Sequence, residues 1–308
     1  MKLAKQRILV VAHGHPDFSL GGGEVAAYNL FQGFRRHPTV ERAWFLARHD
    51  RGQGATGLIS PRRADEYLWQ QGISDWFTLR SAHQESILNA FQDLLRRLRP
   101  TVVHLHHYAH LGLEIIPAIR RSLPDVRIVL TLHEMMAICH QQGQMVKSNS
   151  HRLCWRESLD DCARCFPDRR IEDFWLRKHR FQSIFNLVDH FFTPSAFLRQ
   201  RYIDWGLEPS RITVLENGQV PVGSDAPRPL ASGDTRNRFG FFGQINPFKG
   251  VDVLLSGLAA LPKASRRNIQ LEVHGSNLDF QALEFKERIA ALRAPLEREG
   301  VLRWVGPY

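Results

Sequence analysis

GQINPFKGVDVLLSGL, Gly243 to Leu258, follows the apolar burst RFGFF and runs into Val251, Leu254, Leu255 and Leu258 at helical spacing. The order is strand, turn, helix. Such a turn aims backbone N–H groups and the positive end of a helix dipole at one spot, where each charge interaction contributes about 0.3–1 kcal/mol near the surface. Lys249 adds a full charge there. The nucleotide-binding loop of ATPases is excluded, because it needs Gly-x-x-x-x-Gly-Lys followed by Ser or Thr, and here Lys249 precedes Gly250. Taken alone, the stretch fits a bound anion and a solvated lysine at an ordinary turn equally well.

The same order recurs upstream. RILVVAH, Arg7 to His13, is a strand; GHPDFSLGGGE is a glycine loop; VAAYNLFQGFRR places Val25, Tyr28 and Phe31 on one helical face. ERAWFLARH is a second strand, and HQESILNAFQDLLRRLRP a helix whose stripe from Ile87 to Leu98 stops at Pro100. TVVHLHH, LGLEIIPAIRRSL and VRIVLTLHE continue the alternation, as do the long helix from Ile171, the strand HFFTPS, the helix AFLRQRYIDWG and the strand RITVLENG. Residues 51–75 read as weak and irregular. This pattern predicts a parallel sheet covered on both faces, with ligands at the carboxyl ends of its strands, where His13, the glycine run, His133 and Asn217 all fall.

Residues 219–237, rich in Pro, Gly and Ser, read as a linker between a first domain, 1–218, and a second, 238–308. The second contains three strands and two helices, fewer than a doubly wound domain of ordinary size.

Composition narrows the class. A hydrophobic content of 43% predicts a folded core, and no run approaches the ~18 apolar residues of a membrane span. The basic start lacks a signal-peptide cleavage site, so a cytoplasmic protein is expected. The net charge of +10 suits polyanions, anionic membrane surfaces or phosphorylated small molecules. Lys and Arg are dispersed and no nucleic-acid motif appears, so nucleic acid is not the expected partner. Cys139, Cys154, Cys162 and Cys165 share one segment, and the Cys-x-x-Cys pair is spaced to reach one zinc. The outer spacings match no standard zinc module. Reduced thiols are the expectation and a structural zinc the alternative.

Seven strings in this order resemble glycosyltransferase family 4: GGGE (21–24), TLHE (131–134), TPSAF (193–197), ITVLENG (212–218), FFGQINPFKGVDVLLSGL (241–258), LEVHGS (271–276) and WVGPY (304–308). The resemblance implies two Rossmann-like domains of the GT-B type, an α/β fold whose second domain is incomplete here. It also implies metal-independent, retaining transfer of a sugar from a nucleotide diphosphate sugar to a glycan or lipid-linked glycan acceptor. Lys249 would stabilise the departing diphosphate. Gly21, Gly22 and Gly23 would let backbone pass close beneath it, and His133 would contact the donor sugar. Gly243, Gln244 and Asn217 would complete the donor contacts, with no cofactor needed. Glu24 is expected to favour its helix end only, and Gly218 to adopt a left-handed conformation at an interdomain turn.

Two departures stand out. The family's usual arginine beside the first glycine of the lysine loop is replaced by Gln244. The family's pair of glutamates would lie beyond Tyr308, so the chain is expected to be a truncated or partial enzyme; Glu208 and Glu216 share the pair's spacing but lie in the first domain. Alternatives are an inactive sugar- or nucleotide-binding module and a nucleotide-sugar isomerase. The helix from Ile171 mixes Arg and Lys with aromatics as an interfacial helix would, allowing peripheral membrane contact, although packing on the sheet is the favoured use.

Overall fold

A computed structural model describes residues 5–19, 21–49, 58–82, 84–219 and 229–307. The chain divides into two compact units, residues 1–222 and 223–308. Of the expected linker, residues 220–228 lie outside the described residues, as does Tyr308 of the WVGPY string.

In the first unit, β1 (Gln6–Ala12) is followed by α1 (Gly22–Arg36), β2 (Val40–His49), β3 (Ile59–Arg63), β4 (Glu66–Gln70) and a small ribbon of β5 (Ile73–Asp75) and β6 (Arg80–Ser81). Then come α2 (Gln84–Leu98), β7 (Val102–Leu105), α3 (Ile115–Ser122), β8 (Arg127–Thr131), α4 (Leu159–Cys165), α5 (Ile171–Phe185), β9 (His190–Thr193), α6 (Ala196–Trp205) and β10 (Ile212–Val214). Eight strands form one sheet in the order β10-β9-β8-β7-β1-β2-β4-β3, parallel throughout except for β3.

The register of β1 explains its unbroken apolar run. Successive side chains alternate between faces, so Ile8, Val10 and Ala12 meet Ala27 and Phe31 of α1, while Leu9 and Val11 join the larger core formed with α2, α3, α5 and α6. A strand covered on both faces has no position for a polar residue. Where it emerges from cover, at His13, polar chemistry begins.

Of residues 51–75, which read as irregular, 51–57 lie outside the described residues, and 58–75 are largely ordered strand. They supply β3, β4 and β5, and Trp69 of β4 stacks on Phe91 of α2 with ring centroids 4.7 Å apart. The strands are short, and Asp65, with φ of 66°, makes the tight reversal between β3 and β4. Pro61 sits in β3 at the edge of the sheet, the place where a residue without an N–H is tolerated.

α5 also departs from its simple reading. Phe174, Phe181 and Phe185 pack inward, but Ile171 and Trp175 are exposed. Arg177, one of the basic residues that gave this helix an interfacial look, is buried, its guanidinium donating to the backbone carbonyls of Phe77, Ala137 and Met136. It joins the β5–β6 region and the segment after β8 to one helix.

The second unit holds β11 (Arg238–Phe242), α7 (Val251–Ala260), α8 (Lys263–Arg266), β12 (Gln270–His274), α9 (Leu283–Arg298) and β13 (Leu302–Gly306). Its three strands pair in parallel in chain order. Val251, Leu255, Leu258, Val273, Ile289 and Leu296 make its core. No helix among the described residues is long and apolar enough to cross a membrane.

Candidate active site

The glycine loop after β1 is organised around a carboxylate. Gly21 is the extended residue before α1, which has no side-chain cap there. Glu24, in the first turn, reaches back to accept from the Ser19 hydroxyl at 2.8 Å and lies 3.3 Å from His13 Nε2. Burial alone would raise its pKa, but the His13 and Ser19 hydrogen bonds outweigh that and hold the carboxyl at about 2. Glu24 therefore does more than favour a helix end; it ties the loop to β1.

Each glycine in the run has a different neighbour. A Cβ on Gly21 would stand 2.3 Å from Glu24 Oε2, and one on Gly23 would stand 3.1 Å from His13 Cε1 and 3.9 Å from His133 Cδ2. Nothing lies within 4 Å of a Cβ on Gly22. Gly21 and Gly23 are thus needed by the protein's own packing, while Gly22 faces open space. The same contacts bring His13, Gly23 and His133 together at the strand ends, as the sequence pattern predicts.

His133 follows β8, and its Nε2 lies 3.3 Å from Nδ1 of His106, which follows β7. The His106 ring is 5.5 Å from that of His133 and 4.4 Å from that of His104, whose Nε2 lies 2.8 Å from the Thr131 hydroxyl. Burial lowers the pKa of all three, to about 3 for His104, about 4 for His133 and well below the ordinary value for His106. These imidazoles are therefore neutral near pH 7. His13 lies against a second group, 4.4 Å from His107 and 5.5 Å from His110. The string HLHH at a strand end was the sequence signal for this cluster, although only His133 was singled out by resemblance.

Glu134, next to His133, turns the other way into the fold. Its Oε2 accepts from the Met136 N–H, and burial raises its carboxyl to about 7 against that hydrogen bond and one from Tyr108.

A cavity of about 500 Å³ opens beside the histidines. Tyr28 and Asn29 of α1 form one wall, His106 and Thr131 the floor, and Glu216 and Asn217 the far rim. His106 Nε2 is buried without a partner. Asn217 thus shares a cavity with the residue that touches His133. Gly218, contrary to expectation, is not left-handed: the chain runs on from β10 without a turn, and the Gly218 carbonyl accepts from Asn29 Nδ2 at 3.4 Å.

In the second unit, the lysine loop is fixed by two residues. The Asn246 side chain accepts from the N–H groups of Phe248 and Lys249 at 3.0 and 3.1 Å, closing the turn Pro247–Lys249. Gly250, with φ of 73°, then redirects the chain into α7, a conformation that costs other residues about 1–2 kcal/mol. Gly243 N donates to His274 O at 3.1 Å, and a Cβ on Gly275 would stand 2.1 Å from Gly243 O. The β11 and β12 ends are therefore pressed together beneath the loop. Lys249 and Gln244 are both exposed. Asn246 was not singled out in the sequence; an Asn before Pro is a helix-entry signal that would have found it.

The four cysteines are free and half-buried. Burial raises the thiols of Cys139 and Cys162, the latter to about 12. Among the described residues no group of three or more His, Cys, Asp or Glu side chains is placed to hold a metal ion. The tetrahedral zinc set considered from spacing is not assembled.

Comparison with known families returns a match to Glycosyltransferase Family 4 over residues 20–219, about two thirds of the chain. The chain belongs to glycosyltransferase family 4. No curated protein sequence matches it. Its structure is similar to that of the lipopolysaccharide outer core galactosyltransferase WaaB in its apo form, with TM-score 0.51 and 14% identity, covering 98% of this chain and 68% of that one. It is similar to Anabaena Alr3699/HepE in complex with UDP-glucose, with TM-score 0.53 and 11% identity over 98% and 69% of the two chains. It is also similar to sucrose-phosphate synthase (tll1590) from Thermosynechococcus elongatus, with TM-score 0.61 and 12% identity over 98% and 71%. At such identities the likeness defines the fold, which is GT-B. Family membership places the chain among enzymes of glycosyl transfer.

Proposed function

We propose that the protein moves a sugar from a nucleotide diphosphate sugar to a glycan or lipid-linked glycan acceptor, with retention of configuration and without a catalytic metal. The observation that carries this reading is the meeting of His13, Gly23 and His133 at the carboxyl ends of β1 and β8, where a doubly wound sheet binds its ligands. The Anabaena relative's complex with UDP-glucose supports a nucleotide-sugar donor.

As the glycosidic bond breaks, the departing nucleoside diphosphate gathers negative charge, and a cation held in place for it lowers the barrier. Lys249 has that role, on a turn whose backbone Asn246 and Gly250 fix in advance. Gly243 and Gln244 belong to the same turn; Gln244 hydrogen-bonds the donor without neutralising it. A neutral His133 offers the sugar a hydrogen bond without setting positive charge beside an anomeric carbon that is itself becoming cationic. Gly22 leaves space for the diphosphate, and Asn217 contributes from the rim of the neighbouring cavity. A cytoplasmic setting at the inner face of a membrane belongs to the same reading, with exposed Trp175 and Leu176 of α5 toward the lipid-linked acceptor.

The test is turnover of a panel of nucleotide sugars, followed by release of nucleoside diphosphate and by the anomeric proton of the product. Lys249→Ala should lower turnover at least about 100-fold while donor affinity changes less. Undiminished turnover removes Lys249 from the mechanism. Donor binding without any turnover by the parent protein makes it a binding module.

A further inference from the structure

The residues just after Cys154 lie against α5 and α6 and leave a recess of about 320 Å³, the size at which small-ligand pockets begin. None of its lining belongs to the cluster of His13, Gly23 and His133. Trp205, at the end of α6, forms part of the wall and is 4% exposed, yet its indole N–H has no partner. Arg201 Nε is buried and unpartnered beside it, while the rest of that guanidinium is held by the Trp155 carbonyl at 2.6 Å and by Asp204 at 2.8 Å. Glu157 pairs with Lys178 at 3.2 Å. At the mouth stands Trp155, 62% exposed although it is a large aromatic.

A buried donor left without a partner costs about 1–3 kcal/mol, so two in one recess call for an acceptor from outside. The charges restrict what that acceptor is. The lining carries both signs, Glu157 and Asp204 beside Arg156, Lys178 and Arg201, which suits a neutral guest whose hydroxyls donate and accept, and a purely apolar group would leave both donors unsatisfied. A neutral pyranose answers every feature at once. Its C–H face lies on an indole, its oxygens accept from Trp205 and Arg201, and its hydroxyls donate to Glu157 and Asp204.

We propose that this recess is a second saccharide-binding site, apart from the donor site and independent of its assignment. It takes one neutral sugar ring, as a glycan chain would present.

The experiment is saturation-transfer NMR with glucose, galactose, N-acetylglucosamine, maltose and lactose as probes, using the whole protein. At least one probe should receive saturation from the parent. Trp155→Ala, which removes an exposed side chain, and Trp205→Phe, which removes the N–H together with the five-membered part of a core ring, should each weaken that transfer about fivefold. Added UDP and the His133→Ala substitution should leave it unchanged. No transfer to any probe overturns the proposal, as does transfer undiminished in folded Trp155→Ala and Trp205→Phe proteins. Transfer abolished by UDP or by His133→Ala would assign the sugar to the strand-end site and equally overturn it.

Discussion

Glu24→Gln tests whether one buried carboxylate ties the glycine loop to β1. The substitution keeps the side-chain volume but removes the charge that lies 3.3 Å from His13 Nε2 and accepts from Ser19. The carboxyl falls from an ordinary 4.5 to about 2 on folding, and 1.36 kcal/mol per unit makes its ionisation worth about 3 kcal/mol in stability. Because the folded value is depressed, this stability is complete above pH 4.5 and is lost as the pH falls through about 2. At pH 3 about 2 kcal/mol of it is already gone. Urea unfolding of parent and variant side by side, at pH 7 and pH 3, should show the gap between them shrinking by about 2 kcal/mol. Titrating groups that do not touch Glu24 are common to both proteins and cancel. A gap of equal size at both values would mean that the carboxylate is not held as described.

Gly22→Ala should leave the melting temperature unchanged, since its Cβ meets nothing within 4 Å, yet weaken nucleotide-sugar binding at least about tenfold in calorimetry if the diphosphate passes there. Gly21→Ala should instead lower stability, because its Cβ would stand 2.3 Å from Oε2 of a Glu24 carboxylate whose other oxygen, Oε1, is already held by His13 and Ser19. Gly250→Ala should cost about 1–2 kcal/mol in thermal unfolding through its φ of 73° alone. Arg177→Met should destabilise by about 3 kcal/mol or more, since three carbonyls lose their donor in a dry setting; an unchanged urea midpoint would contradict that.

What was legible in the sequence follows from burial. β1 and β8 are covered on both faces and read as apolar runs, and the polar residues just past them, His13 and His133, mark the site; β7 shares that cover but carries His104, whose partner is the Thr131 hydroxyl. β3 and β4 were missed because Arg62, Arg63 and Glu66 interrupt the apolar pattern: Arg63 pairs with Glu66 at 3.0 Å, and both arginines with Asp17. Ion pairs made to Asp17, 45 and 46 residues away in the chain, leave no period to read. Arg177 misleads for a related reason, because its partners are backbone carbonyls, which no side-chain pattern encodes. The glycines were recognisable as tight positions. What they are tight against, a carboxylate at Gly21 and imidazoles at Gly23, required coordinates.

The last strand added to the large sheet has a bearing on how these molecules behave at high concentration. A sheet margin with free N–H and C=O groups invites another copy to extend it. Here the outermost position carries Pro61, which offers no N–H, followed by two guanidinium groups. Two copies meeting at that side would find a gap in the hydrogen-bond ladder and two guanidinium groups already engaged by Asp17 and Glu66, so edge-to-edge extension is disfavoured along this margin.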